Sequence, residues 1–83
     1  MSEHDSVNSK AAEVVRERIT ATETALVERK KILTRLESEL SEETEASAAN
    51  EIQKRIDAVY AQSNALSALL TNHKATLKTL EKV

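Results

Sequence analysis

Apolar side chains recur at alternating intervals of three and four residues through two long stretches of the chain. In the second stretch, residues 49–80, this spacing places two adjacent rows on one side of a helix. Such a seam is typical of a helix that packs against another helix. The pattern therefore predicts a second helix over about residues 50–81. Its seam contains Ala49, Ile52, Ile56, Val59, Ser63, Leu66, Leu70, His73, Leu77 and Leu80.

The first stretch has the same spacing and predicts a helix over about residues 9–41, preceded by a flexible polar tail at residues 1–8. Thr22 and Arg29 occupy seam positions, so a polar layer is expected in the middle of this helix. Flanking apolar residues, such as Ile32, widen the stripe. The apolar seam positions are Ala12, Val15, Ile19, Leu26, Leu33, Leu36 and Leu40.

The segment between the two stretches, SEETEASAAN, contains no large apolar side chain. The two seams are also out of phase across it, because nine residues separate Leu40 from Ala49. Asn50 followed by Gln53 resembles a helix N-cap signal. We therefore expect a turn at about residues 42–49 and an all-α fold: a two-helix, coiled-coil-like antiparallel hairpin forming a single domain over residues 9–83.

One uninterrupted helix is the alternative, because the sequence contains neither Gly nor Pro. That rod would extend roughly 105 Å at 1.5 Å per residue and would need a second chain along its seam. The hairpin is favoured because polar residues at seam positions leave such a rod poorly specified, and because one polar seam residue of each helix falls at the same level in the hairpin. Residues that face each other have numbers adding up to about 92, which places Arg29 opposite Ser63 and Leu26 opposite Leu66.

Composition restricts the function more than it defines it. The chain has 83 residues, a formal net charge of −2 and no Cys, so neither a disulfide nor strong attraction to nucleic acid or anionic lipid is expected. No apolar run approaches the ~20 residues of a membrane span, and the polar N-terminus does not resemble a signal peptide. These features lead us to expect a cytoplasmic protein.

Candidate chemistry is sparse. No nucleophile, phosphate-loop or metal-ligand motif is present, which favours a non-enzymatic protein without cofactor or metal. His73 is interpreted as a partly buried seam residue rather than a metal ligand, because metal sites need several convergent ligands. A basic cluster suggests an RNA-binding patch, but interspersed acidic residues and the lack of nearby aromatics favour a solvated surface. The cluster consists of Arg29, Lys30, Lys31 and Arg35, with Lys54 and Arg55 across the hairpin.

The second helix carries another row of small residues almost opposite its seam. Ala is the best helix former and fills exposed surfaces well, yet a row of small side chains also lets a partner helix approach closely. Both interpretations stay open. Under the second, the candidate partner-binding residues are Ala58, Ala61, Ala65, Ala68 and Ala75, with Tyr60 and Asn64 as hydrogen-bonding neighbours.

Self-association or a heterocomplex is expected on energetic grounds. A two-helix core of this size supplies no more than about 3–5 kcal/mol, and association would bury further apolar surface. The expected partner is therefore another helical protein or a second copy of the chain, with partner identity and stoichiometry left open.

Residues Glu51 to Leu80, including EIQKRIDAVYAQSNALSALL, resemble the small co-chaperones that act beside a tetratricopeptide-like chaperone in type III secretion systems. Those proteins are short, Cys-poor helical hairpins with apolar and Ala positions at similar spacings. The resemblance implies a cytoplasmic co-chaperone that helps keep the needle subunit unpolymerised. The alternatives are a self-assembling helical-bundle scaffold and a small RNA-binding regulator.

Overall fold

Two long helices connected by a short link form the described part of the chain. The computed structural model describes the backbone of residues 3–82 and the side chains of residues 9–82. Helix α1 spans Glu3–Glu42 and helix α2 spans Ala46–Glu81, and the two pack against each other along their length. The antiparallel hairpin predicted from the seams is confirmed.

The dimensions exclude the single long rod. The chain measures 65 × 15 × 13 Å along its principal axes, close to the roughly 60 Å expected for a 40-residue helix such as α1. Both helices therefore share one length of the molecule, with the chain reversing its direction at one end.

Residues 43–45 make this reversal without a left-handed residue. No described residue has a positive φ angle, so the link does not require Gly. Glu45 adopts an extended conformation, with φ −90° and ψ 126°. Its backbone N–H donates to Oε1 of Glu43 at 3.0 Å, and its carbonyl accepts from the N–H of Ala49 at 2.9 Å. The acidic residues of the link thus provide hydrogen-bond partners for some of the backbone N–H groups in and next to the link.

The observed start of α2 corrects the predicted one. Glu45, rather than Asn50, occupies the N-cap position, and the helix begins at Ala46 instead of residue 50. Gln53 lies within the helix, where its Nε2 donates to Oδ1 of Asp57 at 3.0 Å. The physical reason is that Ala46, Ser47 and Ala48 are compatible with a helix, and no Gly or Pro prevents the helix from extending back to the link.

The start of α1 also differs from the predicted boundary. Residues 1–8 were expected to form a tail, whereas the helix already begins at Glu3. Nothing in this segment interrupts a helix, because it too contains neither Gly nor Pro. Met1, Ser2 and Val83 lie outside the described residues.

The core is a single narrow seam. Leu36, Ile56 and Val59 form its most buried cluster near the link, packed against Ile32, Leu33, Leu40 and Ile52. Ala12 and Val15 are buried toward the open end of the hairpin. No described side chain is less than 2% exposed. This is the thin core expected when each helix covers only one stripe of its neighbour.

Two polar residues lie in this seam and are accommodated differently. Thr22 is 6% exposed, and its hydroxyl donates to the carbonyl of Arg18 at 2.7 Å, so burial leaves no unpaired donor. Arg29 is half-buried, and its Nε is buried without a hydrogen-bond partner among the described groups. The free-energy cost of burying polar groups in the seam therefore arises mainly at Arg29.

The contribution of the seam to the free energy of unfolding can be measured by making the same substitution at a buried and at an exposed position. Val59 is 8% exposed and Val27 is 54% exposed. We expect Val59→Ala to lower the free energy of unfolding by about 2 kcal/mol, because it removes two buried methyl groups and leaves a cavity. Val27→Ala should change it by less than about 0.5 kcal/mol. Urea unfolding followed by circular dichroism at one fixed concentration measures both, and equal losses would contradict the described core.

Replacing the seam arginine should stabilise the hairpin. Arg29→Leu removes the unpaired Nε and adds apolar surface to the seam, so we expect a gain of about 1–2 kcal/mol in the free energy of unfolding. Lys31→Leu, at an exposed position two residues later, is the matched control and should give little change. A lower melting temperature for Arg29→Leu would show that the guanidinium makes a stabilising contact.

Candidate protein-binding surface

The alanine row of α2 lies on the outside of the hairpin. A period of seven residues relates Ala58 to Ala65, and Ala61 to Ala68 and Ala75, so these side chains form two adjacent rows on one side of the helix. All five are exposed, whereas the seam positions of α2 are buried or half-buried. We call these five residues the alanine face. It is an uncovered surface of small side chains running along roughly 26 Å of helix.

Tyr60 and Asn64 border the alanine face. Tyr60 is 49% exposed, and Asn64 is also exposed. Tyr60 follows the seam residue Val59 directly, so its ring stands at the side of the hairpin rather than on the outer surface. These two residues therefore offer a phenol and an amide along one edge of the alanine face.

The structure also exposes large apolar side chains that the sequence analysis did not single out. Val14 is 45% exposed, Val27 54% and Leu69 44%. Leu69 was missed because it adjoins the seam residue Leu70 and so merges with the apolar stripe. Val14 could have been detected by its seven-residue relation to Ala21, which marks a further row along α1.

The predicted seam residues lie between the helices. Leu36, Ile56 and Val59 are buried, and the other predicted seam leucines and isoleucines are half-buried. The latter are Ile19, Leu26, Leu33, Leu40, Ile52, Leu66, Leu70, Leu77 and Leu80. The hairpin covers most of each of these side chains, so the outer and lateral surfaces are the most accessible for binding.

The basic cluster is dispersed by the helical geometry. Arg29 lies half-buried in the seam, whereas Lys30, Lys31 and Arg35 are exposed on different sides of α1. On α2, Nζ of Lys54 lies 3.4 Å from Oε1 of Glu51 in the same helix. Arg55 is exposed as well, so Arg29 is the one cation of the six that lies partly between the helices.

His73 is half-buried, as expected for its seam position. Within residues 9–82, whose side chains the structure describes, no group of three or more His, Cys, Asp or Glu residues is arranged to hold a metal ion. A shallow groove on α1, lined by Glu13, Arg16, Glu17, Thr20 and Ala21, lies along a single helix. The described helices also include none that is long and apolar enough to cross a membrane.

No protein-family model, curated protein or solved structure matches the chain. Its surfaces therefore have to be interpreted from their own chemistry. The strongest contrast on α2 is between a covered seam of large apolar residues and an uncovered face of small ones.

Proposed function

We propose that the chain is a non-enzymatic protein-binding module that docks another helical protein against the alanine face. The observation that carries this proposal is the exposure of all five alanines along one continuous side of α2. Small side chains allow two helix backbones to approach closely, and amphipathic helices commonly bind in such shallow apolar surfaces.

The size of the alanine face supports a helical partner. Ala58 and Ala75 are separated by about 26 Å along the helix axis, which is roughly five helical turns. A partner helix laid along this length would bury apolar area worth about 25 cal/mol per Å². Tyr60 and Asn64 at the edge would supply polar contacts, as is usual at the rim of an interface.

A more specific role is that of a co-chaperone for a type III secretion needle subunit. Its support is the resemblance of residues 51–80 to that family. The thin seam of the hairpin fits such a role, because a hairpin with little core of its own gains stability from a partner. In this role, the alanine face would contact the needle subunit or its tetratricopeptide-like chaperone in the cytoplasm.

A photo-crosslinking residue at position 61 tests the docking surface in cells of the native host. We expect a crosslinked product containing a second, different protein, identified by mass spectrometry. Adding Ala68→Glu should remove this product, because a charge in the middle of the face must be desolvated. Thr71→Glu adds the same charge to an exposed position one turn away and outside the alanine face, and it should preserve the product.

Circular dichroism of both variants checks that their helicity equals that of the parent chain. If Ala68→Glu left the crosslinked product unchanged while the chain stayed folded, the alanine face would not be the docking surface. A secretion-system subunit in the product would support the co-chaperone role, and a different partner would contradict it.

A further inference from the structure

The hairpin has two lateral sides, one on each flank of the seam, which differ in charge and apolar exposure. One observed contact between the helices shows which positions lie on the first side. Arg16 Nη2 lies 3.4 Å from Glu81 Oε1. Arg16 directly follows the seam residue Val15, and Glu81 directly follows Leu80. Positions that follow these seam rows therefore share one side of the hairpin. The heptad period adds Glu23, Lys30, Glu37 and Lys74 to this charged side.

The opposite lateral side is formed by the positions that directly precede the second seam row, which contains Leu26 and Leu33 on α1 and Leu70 on α2. On α1 these include Ala25 and Ile32, which precede Leu26 and Leu33, and on α2 they include Leu69, which precedes Leu70. Leu69 is 44% exposed, and Ala25 and Ile32 are only half-buried by the fold. This side thus keeps apolar surface in contact with water.

On α1, this side carries a second seam with the same alternating intervals of three and four residues. We call it the lateral seam of α1. Its central part consists of Val14, Arg18, Ala21, Ala25, Glu28 and Ile32. Val14 is 45% exposed, and Arg18, Ala21 and Glu28 are exposed as well. Nothing in the hairpin covers this row completely.

The lateral seam is complementary to itself when one copy runs antiparallel to another. In the register that pairs Ala21 with Ala25 of the second copy, Val14 faces Ile32 and Arg18 faces Glu28. Each of these contacts occurs twice because of the two-fold symmetry. Apolar residues meet apolar residues, opposite charges meet, and the two alanines allow close approach at the centre.

We propose that this side of the hairpin binds a second copy of the chain, with α1 antiparallel to α1 of the other copy. The result is a symmetric four-helix dimer. This proposal concerns a different surface from the alanine face and does not depend on the proposed function. Among the described residues, neither Arg18 nor Glu28 forms an ion pair within the chain, so both charges are available to the second copy.

Helix α2 is compatible with the same arrangement. The two-fold axis that pairs Ala21 with Ala25 lies near the level of Leu69 and brings uncharged residues of the two α2 helices together, such as Leu69 with Leu69 and Gln62 with Thr76. The hydroxyl of Thr76 already donates to the carbonyl of Asn72 at 2.9 Å. Covering Thr76 would therefore leave no unpaired hydroxyl donor.

The exposed area supports a dimer of ordinary size. The hairpin has a solvent-accessible surface of 6224 Å² for a mass of 9.2 kDa. A compact monomer of that mass would expose only about 4,900 Å². The excess, roughly 1,300 Å², exceeds the ~800 Å² that each partner buries in a standard interface. An elongated hairpin thus has enough exposed area for a second copy to cover.

A charge-exchange experiment tests both the dimer and its register. Sedimentation equilibrium of the full chain should give a mass of about twice 9.2 kDa at high concentration. Arg18→Glu and Glu28→Arg should each weaken the dimer about tenfold or more, because each places two like-charged pairs in the interface. An equimolar mixture of the two variants should regain parental affinity, since every pair then joins opposite charges.

Lys31→Glu, which reverses a charge at an exposed position of α1 outside the lateral seam, is the control and should leave the dimer intact. Circular dichroism confirms that each variant remains helical. A parental chain that stays monomeric throughout, or a mixture no tighter than the separate variants, would overturn the proposal. Ala68→Glu should still dimerise, which keeps this result separate from the test of the alanine face.

Discussion

The packing of two apolar stripes across one seam is the constraint on which the whole structure depends. Each helix alone is an exposed amphipathic rod, and most of its stability comes from covering its apolar rows. Leu36, Ile56 and Val59 provide the most protected part of this contact, next to the link. Because the link comprises only residues 43–45, it holds the two stripes at short range.

The seam also determines which surfaces are available for function. It covers most of the large leucines and isoleucines at least in part and leaves three different outer surfaces. One lateral side carries charges of both signs, including the Arg16–Glu81 ion pair. The other lateral side keeps Val14 and Leu69 exposed. The outside of α2 presents the alanine face. Two separate contacts, one with another protein and one with a second copy, are thus possible without opening the hairpin.

Much of this architecture was predictable because apolar periodicity is a strong signal in long helices. The seam rows identified the buried and half-buried positions of α2, including Ser63 and His73. The helix ends were less predictable. Asn50 and Gln53 have the residue types of an N-cap, but Ala46 to Ala49 are good helix formers and extend α2 back to Glu45. Local cap chemistry was outweighed by helix propensity.

The candidate surfaces were only partly predictable for a physical reason. The alanine face was visible because its residues share one row on one helix. The lateral side combines Ala25 and Ile32 from α1 with Leu69 from α2, so it can be recognised only once the pairing of the helices is known. The Arg16–Glu81 contact supplies that information. The sequence likewise placed Arg29 in a polar layer of the seam, but only the structure shows that its Nε is buried without a hydrogen-bond partner among the described groups.

The distance between the outer surfaces of α1 and α2 at the open end tests the central claim most directly. The chain contains no Cys, so two cysteines replacing the exposed Glu17 and Lys78 can carry spin labels specifically. Dilution with unlabelled chain restricts the measurement to distances within one molecule. With helix axes about 8–10 Å apart, the hairpin predicts a label separation of roughly 20–30 Å. A separation near the roughly 90 Å of a continuous helix would contradict the account.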